Sequence, residues 1–285
     1  MVPTDLSNLI DFERFPIDQP NSTTLSDVIK TVADALDDDG CAVLRGFVKP
    51  EAVKALVEEA DAVHQHGHRN FNRTNAYFTQ DDPSLPETHP LRRFYDRSNS
   101  FVPADNFGAT SKLRQLLEWP EFPEFVRQVL GEPKDKFFVY ADPLADVIVN
   151  VAEEGNGFPW HFDTNNFTIT LAIQNADFGG EFDYCPNVRT ATDECFDDVE
   201  AVLDDRHPGV KTLDLQPGDL QIFKGRYSLH RVRPLKGNTR RYVAIFSFVE
   251  KEGMVGSPER CKQLYGRVLP IHYERAGHRD DALVD

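Results

Sequence analysis

The spacing of apolar residues is helical in the first half of the chain. In residues 26–39 and 51–64, apolar side chains recur every three or four positions, as on one buried face of an α-helix. We expect Ser26 to cap the first of these helices and Gly40 to end it. Residues 111–130 return to the same spacing, and Pro120 interrupts it. This half of the chain therefore predicts amphipathic helices that pack against another layer.

From residue 137 onward the pattern changes to short strands. Runs rich in β-branched and aromatic residues alternate with Gly, Pro, Asn and Asp, which favour turns. The runs cover residues 137–140, 147–151, 167–173, 181–184, 210–215, 220–223 and 242–248. Helices followed by many short strands are typical of an α+β fold built on an antiparallel sandwich or barrel. We therefore predict a double-stranded β-helix, or jelly-roll, core with flanking N-terminal helices.

A single domain is expected, preceded by an N-terminal arm. Residues 1–22 are polar and contain several prolines, which indicates an arm laid over the domain. Residues 66–110 have weak periodicity, and because a connection of that length is usually functional, we expect it to form a lid. We expect the domain to span residues 23–285. Its parts are a helical support at 23–135, a jelly-roll core at about 137–250 and a C-terminal extension at 251–285.

The chain is strongly acidic, with a net charge of −16 from 31 Lys and Arg against 47 Asp and Glu. Such a surface repels nucleic acid and anionic membranes, so neither is expected as a partner. The sequence has no apolar run near the roughly 20 residues that a membrane span needs, and it begins without a signal-peptide layout. We therefore expect a cytoplasmic protein that acts on a small molecule, and its oligomeric state is left open.

The cysteines suggest a reducing compartment. The chain has 4 of them, Cys41, Cys185, Cys195 and Cys261, and none forms a C-x-x-C pair. We expect free thiols, with a local bridge between Cys185 and Cys195 as the alternative.

Three residues of the sequence indicate a metal-binding site. His161 and Asp163 stand two positions apart, and on a strand such residues point to the same face. His230, just beyond the predicted strand 220–223, is the best candidate for a third ligand. Two histidines and one carboxylate on a β scaffold, with coordination positions left open, are the arrangement of non-haem iron(II) oxygenases. The alternatives are a hydrogen-bonded structural pair for His161 and Asp163, and a buried core histidine for His230.

A basic residue follows the third candidate ligand. Arg241 lies in the predicted strand after His230, where a guanidinium can hold the distal carboxylate of 2-oxoglutarate in a two-pronged ion pair. Arg240 is adjacent and points to the opposite face, so only one of the two can face inward. The alternative for Arg241 is an arginine on the surface of the sheet.

Several sequence motifs surround these residues. They are Trp160-His-Phe-Asp-Thr-Asn, Gly179-Gly-Glu-Phe-Asp-Tyr, Pro217-Gly-Asp-Leu and Lys224-Gly-Arg-Tyr-Ser-Leu-His-Arg-Val. Over roughly residues 137–250 the chain resembles the Fe(II)/2-oxoglutarate-dependent dioxygenase superfamily, and residues 40–47 look like the N-terminal strand of many members. The motifs are most similar to the branch of free-amino-acid halogenases and their hydroxylase relatives. The resemblance implies Fe(II), 2-oxoglutarate as cosubstrate and O2.

The residue at position 163 separates the two activities of that branch. The halogenases that the chain resembles carry a small residue where Asp163 stands, and a halide takes the vacated iron site. The carboxylate here implies hydroxylation of an unactivated C–H bond of a small polar metabolite, such as a free amino acid or a derivative. Desaturation, cyclisation or epimerisation with the same cofactors is one alternative. A non-catalytic, metal-containing jelly-roll binding protein is another.

Candidate substrate-binding residues are taken from the predicted inward faces, the mouth of the site and the lid. They are Trp160, Asn165, Asn166, Ser247, Arg97, Asp142 and Asn150, with Arg92 and Arg93 as further arginines of the lid. Trp160 is either a wall of the pocket or part of the core. Val243 and Ile245 also point inward, which leaves that wall largely apolar. The lysine-acting members of the branch that the chain resembles place more polar groups on this wall, so the resemblance puts lysine in doubt as the substrate.

Overall fold

The computed structural model describes residues 4–165, 167–275 and 283–284. The helices of this described part are α1 (Thr4–Leu9), α2 (Thr23–Asp39), α3 (Pro50–Val63), α4 (Lys112–Glu118), α5 (Glu121–Leu130), α6 (Phe196–Leu203), α7 (Pro258–Tyr265) and α8 (Pro270–Arg275). Its strands are β1 (Cys41–Leu44), β2 (His68–Thr74), β3 (Tyr95–Val102), β4 (Phe138–Val139), β5 (Val147–Ala152), β6 (Phe158–His161), β7 (Phe167–Gln174), β8 (Phe178–Gly179), β9 (Phe182–Cys185), β10 (Lys211–Leu213), β11 (Leu220–Phe223), β12 (Leu229–Val232), β13 (Leu235–Lys236) and β14 (Arg241–Val249).

Two antiparallel sheets form the β core. The larger sheet has the strand order β1-β11-β7-β14-β5-β3-β2, with β4 paired to β14, and the smaller one has the order β10-β9-β12-β6. The non-sequential order of strands in both sheets is the crossover pattern of a double-stranded β-helix, so the predicted fold is confirmed. One face of the larger sheet and one face of the smaller sheet enclose a cavity.

The helices cover the other face of the larger sheet. Leu36 of α2, Leu56 of α3 and Phe122 of α5 are buried in the same apolar cluster as Ile169 of β7 and Phe246 of β14. This packing explains the helical spacing of the first half of the chain, because each helix contributes one apolar stripe to a single interface. The interface keeps the larger sheet fixed behind the cavity.

The cap of α2 differs from the prediction. The side chain of Ser22, not Ser26, is the N-cap and accepts a hydrogen bond from the backbone N–H of Leu25 at 3.1 Å. Ser26 lies inside the first turn and donates its hydroxyl to the Ser22 carbonyl at 3.2 Å. Gly40 ends the helix as expected, with φ +64, a left-handed conformation that suits glycine.

Part of the N-terminal segment, residues 1–22, is buried in the core and does not form an arm on the surface. Helix α1 lies within it, and Leu6, Leu9 and Ile10 are fully buried in the cluster that joins the helices to the larger sheet. The backbone of Ile10 also forms a bridge with Val48. The polar composition of residues 1–22 concealed these apolar positions, so the expectation of a polar arm was wrong for this stretch.

The stretch expected to be a lid contains two strands. β2 and β3 pair along their whole length and extend the larger sheet at its edge, where β3 pairs with β5. The alternation of burial is weak because β2 is an edge strand, and Phe71 in it is 73% exposed. The interpretation of 66–110 as a long irregular connection was therefore wrong at both ends of that segment.

The cysteines of the described chain are free thiols. They are Cys41, Cys185, Cys195 and Cys261, so the alternative bridge between Cys185 and Cys195 does not form. None of the helices described here combines the length and the apolar character that crossing a lipid bilayer requires.

Candidate metal centre and substrate cavity

Two neighbouring strands of the smaller sheet bring the histidines together. His161 is the last residue of β6 and stands directly opposite His230 of β12 in the antiparallel register. Their ring centroids are 4.1 Å apart. Because cross-strand partners project from the same face of a sheet, both imidazoles enter the cavity. The prediction that these distant residues meet agrees with this geometry.

Asp163 completes the cluster from just outside the strand. Its Oδ1 lies 3.5 Å from His230 Nε2 and 3.9 Å from His161 Nε2, and the three ligand atoms all lie within 4.8 Å of one another. The argument from strand alternation was incomplete, since β6 ends at His161. The chain turns instead, and the backbone N–H of Asp163 donates to the Gly225 carbonyl at 3.1 Å.

Both imidazoles present their Nε2 lone pair to the same point. His161 Nδ1 donates to the Pro159 carbonyl at 2.8 Å, and His230 Nδ1 donates to the Ser228 carbonyl at 2.9 Å. A carbonyl only accepts, so each Nδ1 carries the proton and each Nε2 is unprotonated in the neutral ring. Burial lowers the pKa of His161 well below its usual range, and the neighbouring His230 acts in the same direction. Neutral imidazoles are what a metal ion requires.

The carboxylate of Asp163 is held in its charged form. Burial acts to raise its pKa, but the neighbouring His230 ring, a hydrogen bond from Thr168 and the charge of Arg260 outweigh it, and the net pKa is lowered. Two neutral imidazole nitrogens and one carboxylate oxygen around a common point fit a divalent metal ion such as Fe(II).

Gly225 makes room for that carboxylate. A Cβ atom at position 225 would lie 2.0 Å from Asp163 Oδ2 and 2.7 Å from its Cγ. Any side chain there would displace the carboxylate from the two histidines. The absence of a side chain at Gly225 therefore fixes where Asp163 can stand.

Arg241 is directed into the cavity and Arg240 away from it. Arg241 is buried among the lining residues, and no carboxylate in the described ranges lies within ion-pair distance of it. Burial lowers its pKa to about 10, so it is protonated at neutral pH. Arg240 instead donates from Nε to Glu153 Oε1 at 2.9 Å, and both side chains are 42% exposed. Of the two alternatives left by the sequence, only Arg241 lines the cavity.

Arg97 is a second buried cation in the cavity. Its guanidinium lies over the rings of Phe158, 4.1 Å from the centroid, and Phe78, 5.1 Å from the centroid. Burial lowers the pKa of Arg97 well below its usual range, and the charge of Arg260 adds to the effect. Its Nη1 has no hydrogen-bond partner among the residues described. Because arginine stays protonated in proteins, Arg97 is a buried positive charge without a carboxylate partner in the described part of the chain.

Some of the other candidates line the cavity as expected. Ser247 of β14, Asn150 of β5 and Asn165 beyond Asp163 are all lining residues, whereas Asn166 lies outside the described residues. Asn150 donates its side-chain amide to the Ser100 carbonyl at 3.3 Å, which fixes its orientation.

Three candidates lie elsewhere. Trp160 is buried in a separate apolar cluster behind β6, with the guanidinium of Arg231 4.5 Å from its ring centroid, so its interpretation as a pocket wall was wrong. Trp160 precedes His161 on the strand and therefore points to the opposite face. Arg92 is ion-paired with Asp81 at 2.9 Å, and Arg93 with Asp204 at 2.8 Å. Neither of these arginines is a lining residue of the cavity.

Asp142 lines the cavity, but both of its carboxylate oxygens already accept hydrogen bonds from other residues of the protein. One oxygen accepts from the Leu144 N–H at 2.8 Å and from His272 Nε2 at 3.1 Å. The other accepts from the Gly256 N–H at 2.8 Å and from the Cys261 thiol at 3.7 Å. Asp142 therefore ties the C-terminal segment to the β core.

Asp142, Cys261 and His272 lie close enough together to resemble a metal site, but distance is their only resemblance to one. The ligand atoms of Asp142, Cys261 and His272 lie within 4.8 Å of one another. However, His272 Nδ1 accepts the Leu269 N–H at 3.0 Å, so the ring proton is on Nε2 and points at Asp142. With that tautomer the histidine donates a hydrogen bond and has no lone pair for a metal ion at this cluster.

Sequence reasoning missed Arg260 and Phe158. Arg260 of α7 lines the cavity, and its guanidinium lies 4.1 Å from the centroid of Phe78. Phe158 stacks on His161 with centroids 3.7 Å apart and holds the ring in place. Nothing local in the C-terminal extension signalled that α7 forms a wall of the cavity. Phe158 lies three positions before His161 in the same strand, and that closeness was the available signal.

A double-stranded β-helix that holds two histidines and a carboxylate at one point, with a buried arginine in the same cavity, defines the class of 2-oxoglutarate-dependent non-haem iron oxygenases. This class uses Fe(II), 2-oxoglutarate and O2. Residues 24–260 match the sequence model of the Halogenase D family, HalD, and the chain belongs to that family.

Solved structures of low sequence identity share the fold. The α-ketoglutarate-dependent epimerase SnoN from nogalamycin biosynthesis has a TM-score of 0.55 and 14% identity, over 79% of this chain and 82% of that one. The carbocyclase SnoK from the same biosynthesis has a TM-score of 0.52 and 14% identity, over 78% and 83%. AviO1 from Streptomyces viridochromogenes has a TM-score of 0.51 and 13% identity, over 80% and 97%. No curated protein matches the chain.

Proposed function

We propose that this protein hydroxylates an unactivated C–H bond of a free amino acid or a closely related small metabolite. In the balanced reaction the C–H bond becomes C–OH, and 2-oxoglutarate and O2 become succinate and CO2. The observation that carries this proposal is the carboxylate of Asp163, which lies 3.5 and 3.9 Å from the free nitrogens of the two histidines.

The carboxylate favours hydroxylation over halogenation. In the halogenases that this chain resembles, a small residue stands at the position of Asp163 and leaves a metal site for halide. Here an oxygen ligand takes that site, and Gly225 provides the space that the carboxylate needs. With three protein ligands, the remaining positions suffice for a bidentate 2-oxo acid and dioxygen and leave none for chloride.

The side chains around the centre have three roles: they bind the metal, the cosubstrate and the substrate. His161, Asp163 and His230 hold the iron, which when bound supplies the activation of dioxygen. Arg241 binds the distal carboxylate of 2-oxoglutarate, since it is a buried guanidinium without an anionic partner in the described chain. Arg97 binds the carboxylate of the substrate for the same reason.

The remaining lining residues shape the pocket. Ser247 and Asn150 offer polar contacts on the larger sheet, and Asn165 lies beyond the metal ligand Asp163. The rings of Phe158 and Phe78 keep Arg97 rigid and exclude water from its guanidinium. A rigid, dry anchor positions one C–H bond of a bound amino acid toward the metal.

The proposal is tested by supplying the purified protein with Fe(II), ascorbate, 2-oxoglutarate and air, together with each amino acid in turn. The expected result is succinate formation coupled to a product 16 mass units heavier than one of the substrates, as follows from the added oxygen atom. A product that has gained chlorine, has lost two hydrogens or has inverted its configuration would replace hydroxylation by another outcome. A protein that leaves 2-oxoglutarate unconsumed with every compound would contradict the proposed activity. Asp163→Ala serves as the inactive control.

A further inference from the structure

We propose that the side chain of the substrate is aliphatic and uncharged, so that the enzyme selects amino acids such as norleucine or leucine over lysine or ornithine. This inference rests on the proposed function and specifies its substrate class. It depends on the composition of the cavity wall, on the hydrogen bonds that Asp142 already accepts and on the arginines that line the cavity.

One side of the cavity is apolar. The apolar wall consists of lining residues from the larger sheet, the loop before β5 and α7, namely Phe101, Ala145, Ile148, Ile245 and Leu264. Ile148 and Ile245 are direct cross-strand partners, so their side chains form a continuous surface. A substrate chain that lies on this wall gains about fourfold in affinity for each methylene removed from water.

Among the described residues, the cavity offers a cationic side chain no carboxylate that is free of other partners. Among the described lining residues only Asp142 and Asp163 are acidic. Asp163 belongs to the metal centre. Asp142 already accepts hydrogen bonds from two backbone N–H groups, from His272 and from Cys261. An ammonium group would have to break this network in order to gain a partner.

The arginines that line the cavity, one buried and one half-buried, add to this discrimination. Arg97 and Arg260 both line the cavity, and the charge of Arg260 is already felt by Arg97. They attract the carboxylate of an amino acid and repel a second ammonium. Because a buried charge without a partner is costly, a lysine side chain pays this penalty and an aliphatic one of equal length does not.

The matched pair L-norleucine and L-lysine tests the inference, because the two differ only by the terminal ammonium. Their binding is measured by calorimetry on the protein loaded with Co(II) and 2-oxoglutarate, which does not require turnover. We expect norleucine to bind at least about 100-fold more tightly than lysine. Equal binding, tighter binding of lysine, or no binding of either compound overturns the inference.

A substitution in the apolar wall provides the second arm. Ile245 is only partly buried, so a carboxylate there faces the cavity instead of a packed core. Ile245→Asp is expected to weaken norleucine binding at least tenfold and to strengthen lysine binding at least tenfold, whereas Ile245→Val keeps the original preference. Failure of lysine binding to improve in a folded Ile245→Asp protein contradicts the assignment of this wall.

Measuring succinate formation shows whether the proposed substrate preference or the proposed reaction has failed. If norleucine binds selectively but no succinate forms in air with Fe(II), the proposed reaction fails while the selectivity stands. If succinate forms only with lysine or ornithine, the reaction stands and the inference is wrong.

Discussion

The carboxylate of Asp163 packs directly against the Cα of Gly225, at a distance that leaves no space for a Cβ atom. This contact joins the loop after β6 to the turn between β11 and β12. The position of one candidate metal ligand therefore depends on a residue that has no side chain and offers the metal nothing itself.

Gly225→Ala is expected to weaken metal binding. The added methyl group would lie 2.0 Å from Asp163 Oδ2, so the carboxylate must leave its position between the histidines. We expect a loss of about 10–100-fold in Co(II) affinity, as is usual when a supporting contact of a ligand is removed. Calorimetry and the visible spectrum of Co(II) measure the loss. Gly108→Ala is the matched control, since a Cβ there meets nothing within 4 Å. Equal metal affinity of the two variants would contradict the role of Gly225.

Arg241→Ala is expected to raise the KM for 2-oxoglutarate at least about 100-fold, because a buried charge-assisted contact to the cosubstrate is lost. Arg240→Ala is the neighbouring control. It removes only a half-exposed pair with Glu153, and such pairs contribute about 0–1 kcal/mol. Steady-state kinetics with 2-oxoglutarate as the varied substrate distinguish the two variants. A similar rise in both would mean that Arg241 does not hold the cosubstrate.

Arg97→Met is expected to have opposite effects on stability and on substrate binding. It removes a buried positive charge that has no carboxylate partner in the described part of the chain, so the unfolding free energy in urea should rise by about 1–3 kcal/mol. The kcat/KM for the amino acid should fall at least about 100-fold, with the KM for 2-oxoglutarate unchanged. Arg92→Met, at a surface ion pair, should alter neither quantity appreciably. A variant of Arg97 that keeps full kcat/KM would exclude it from the substrate site.

His272→Phe is expected to destabilise the protein by about 3 kcal/mol, because it leaves the buried Asp142 without one of its donors. The neighbouring Tyr273→Phe, at a side chain that is 72% exposed, should change the unfolding free energy by less than about 0.5 kcal/mol. Urea denaturation measures both. A loss of similar size in the two variants would show that the contact with Asp142 is not the cause.

The meeting of the two histidines was predictable from the sequence because it follows from strand geometry, whereas Asp163 lies beyond the end of β6. His161 and His230 are direct partners in neighbouring strands, which is what a histidine pair on a β scaffold implies. The same alternation also places Trp160 on the far side of β6, so the sequence already contained the reason that it does not line the cavity. The inward direction of Arg241 and the outward direction of Arg240 follow the same rule.

Other parts depend on contacts between distant segments and have no local signal. Arg260 belongs to α7, and Asp142 ties the segments on either side of this helix to the β core through Gly256 and His272. The edge strand β2 has no clear alternation, since one of its sides has no neighbouring strand in the described sheet. The burial of Leu6 and Leu9 is set by the helices that cover them, not by the composition of their own segment.

The attachment of α7 through Asp142 also has a consequence for biosynthesis. The candidate metal ligands and Arg241 precede Arg260 and His272 along the chain, so the pocket lacks one side until α7 and α8 have been synthesised. A nascent chain that captured iron early would expose it to dioxygen without a seated substrate. The order of residues along the chain thus delays the closing of the cavity until its last two described helices have left the ribosome.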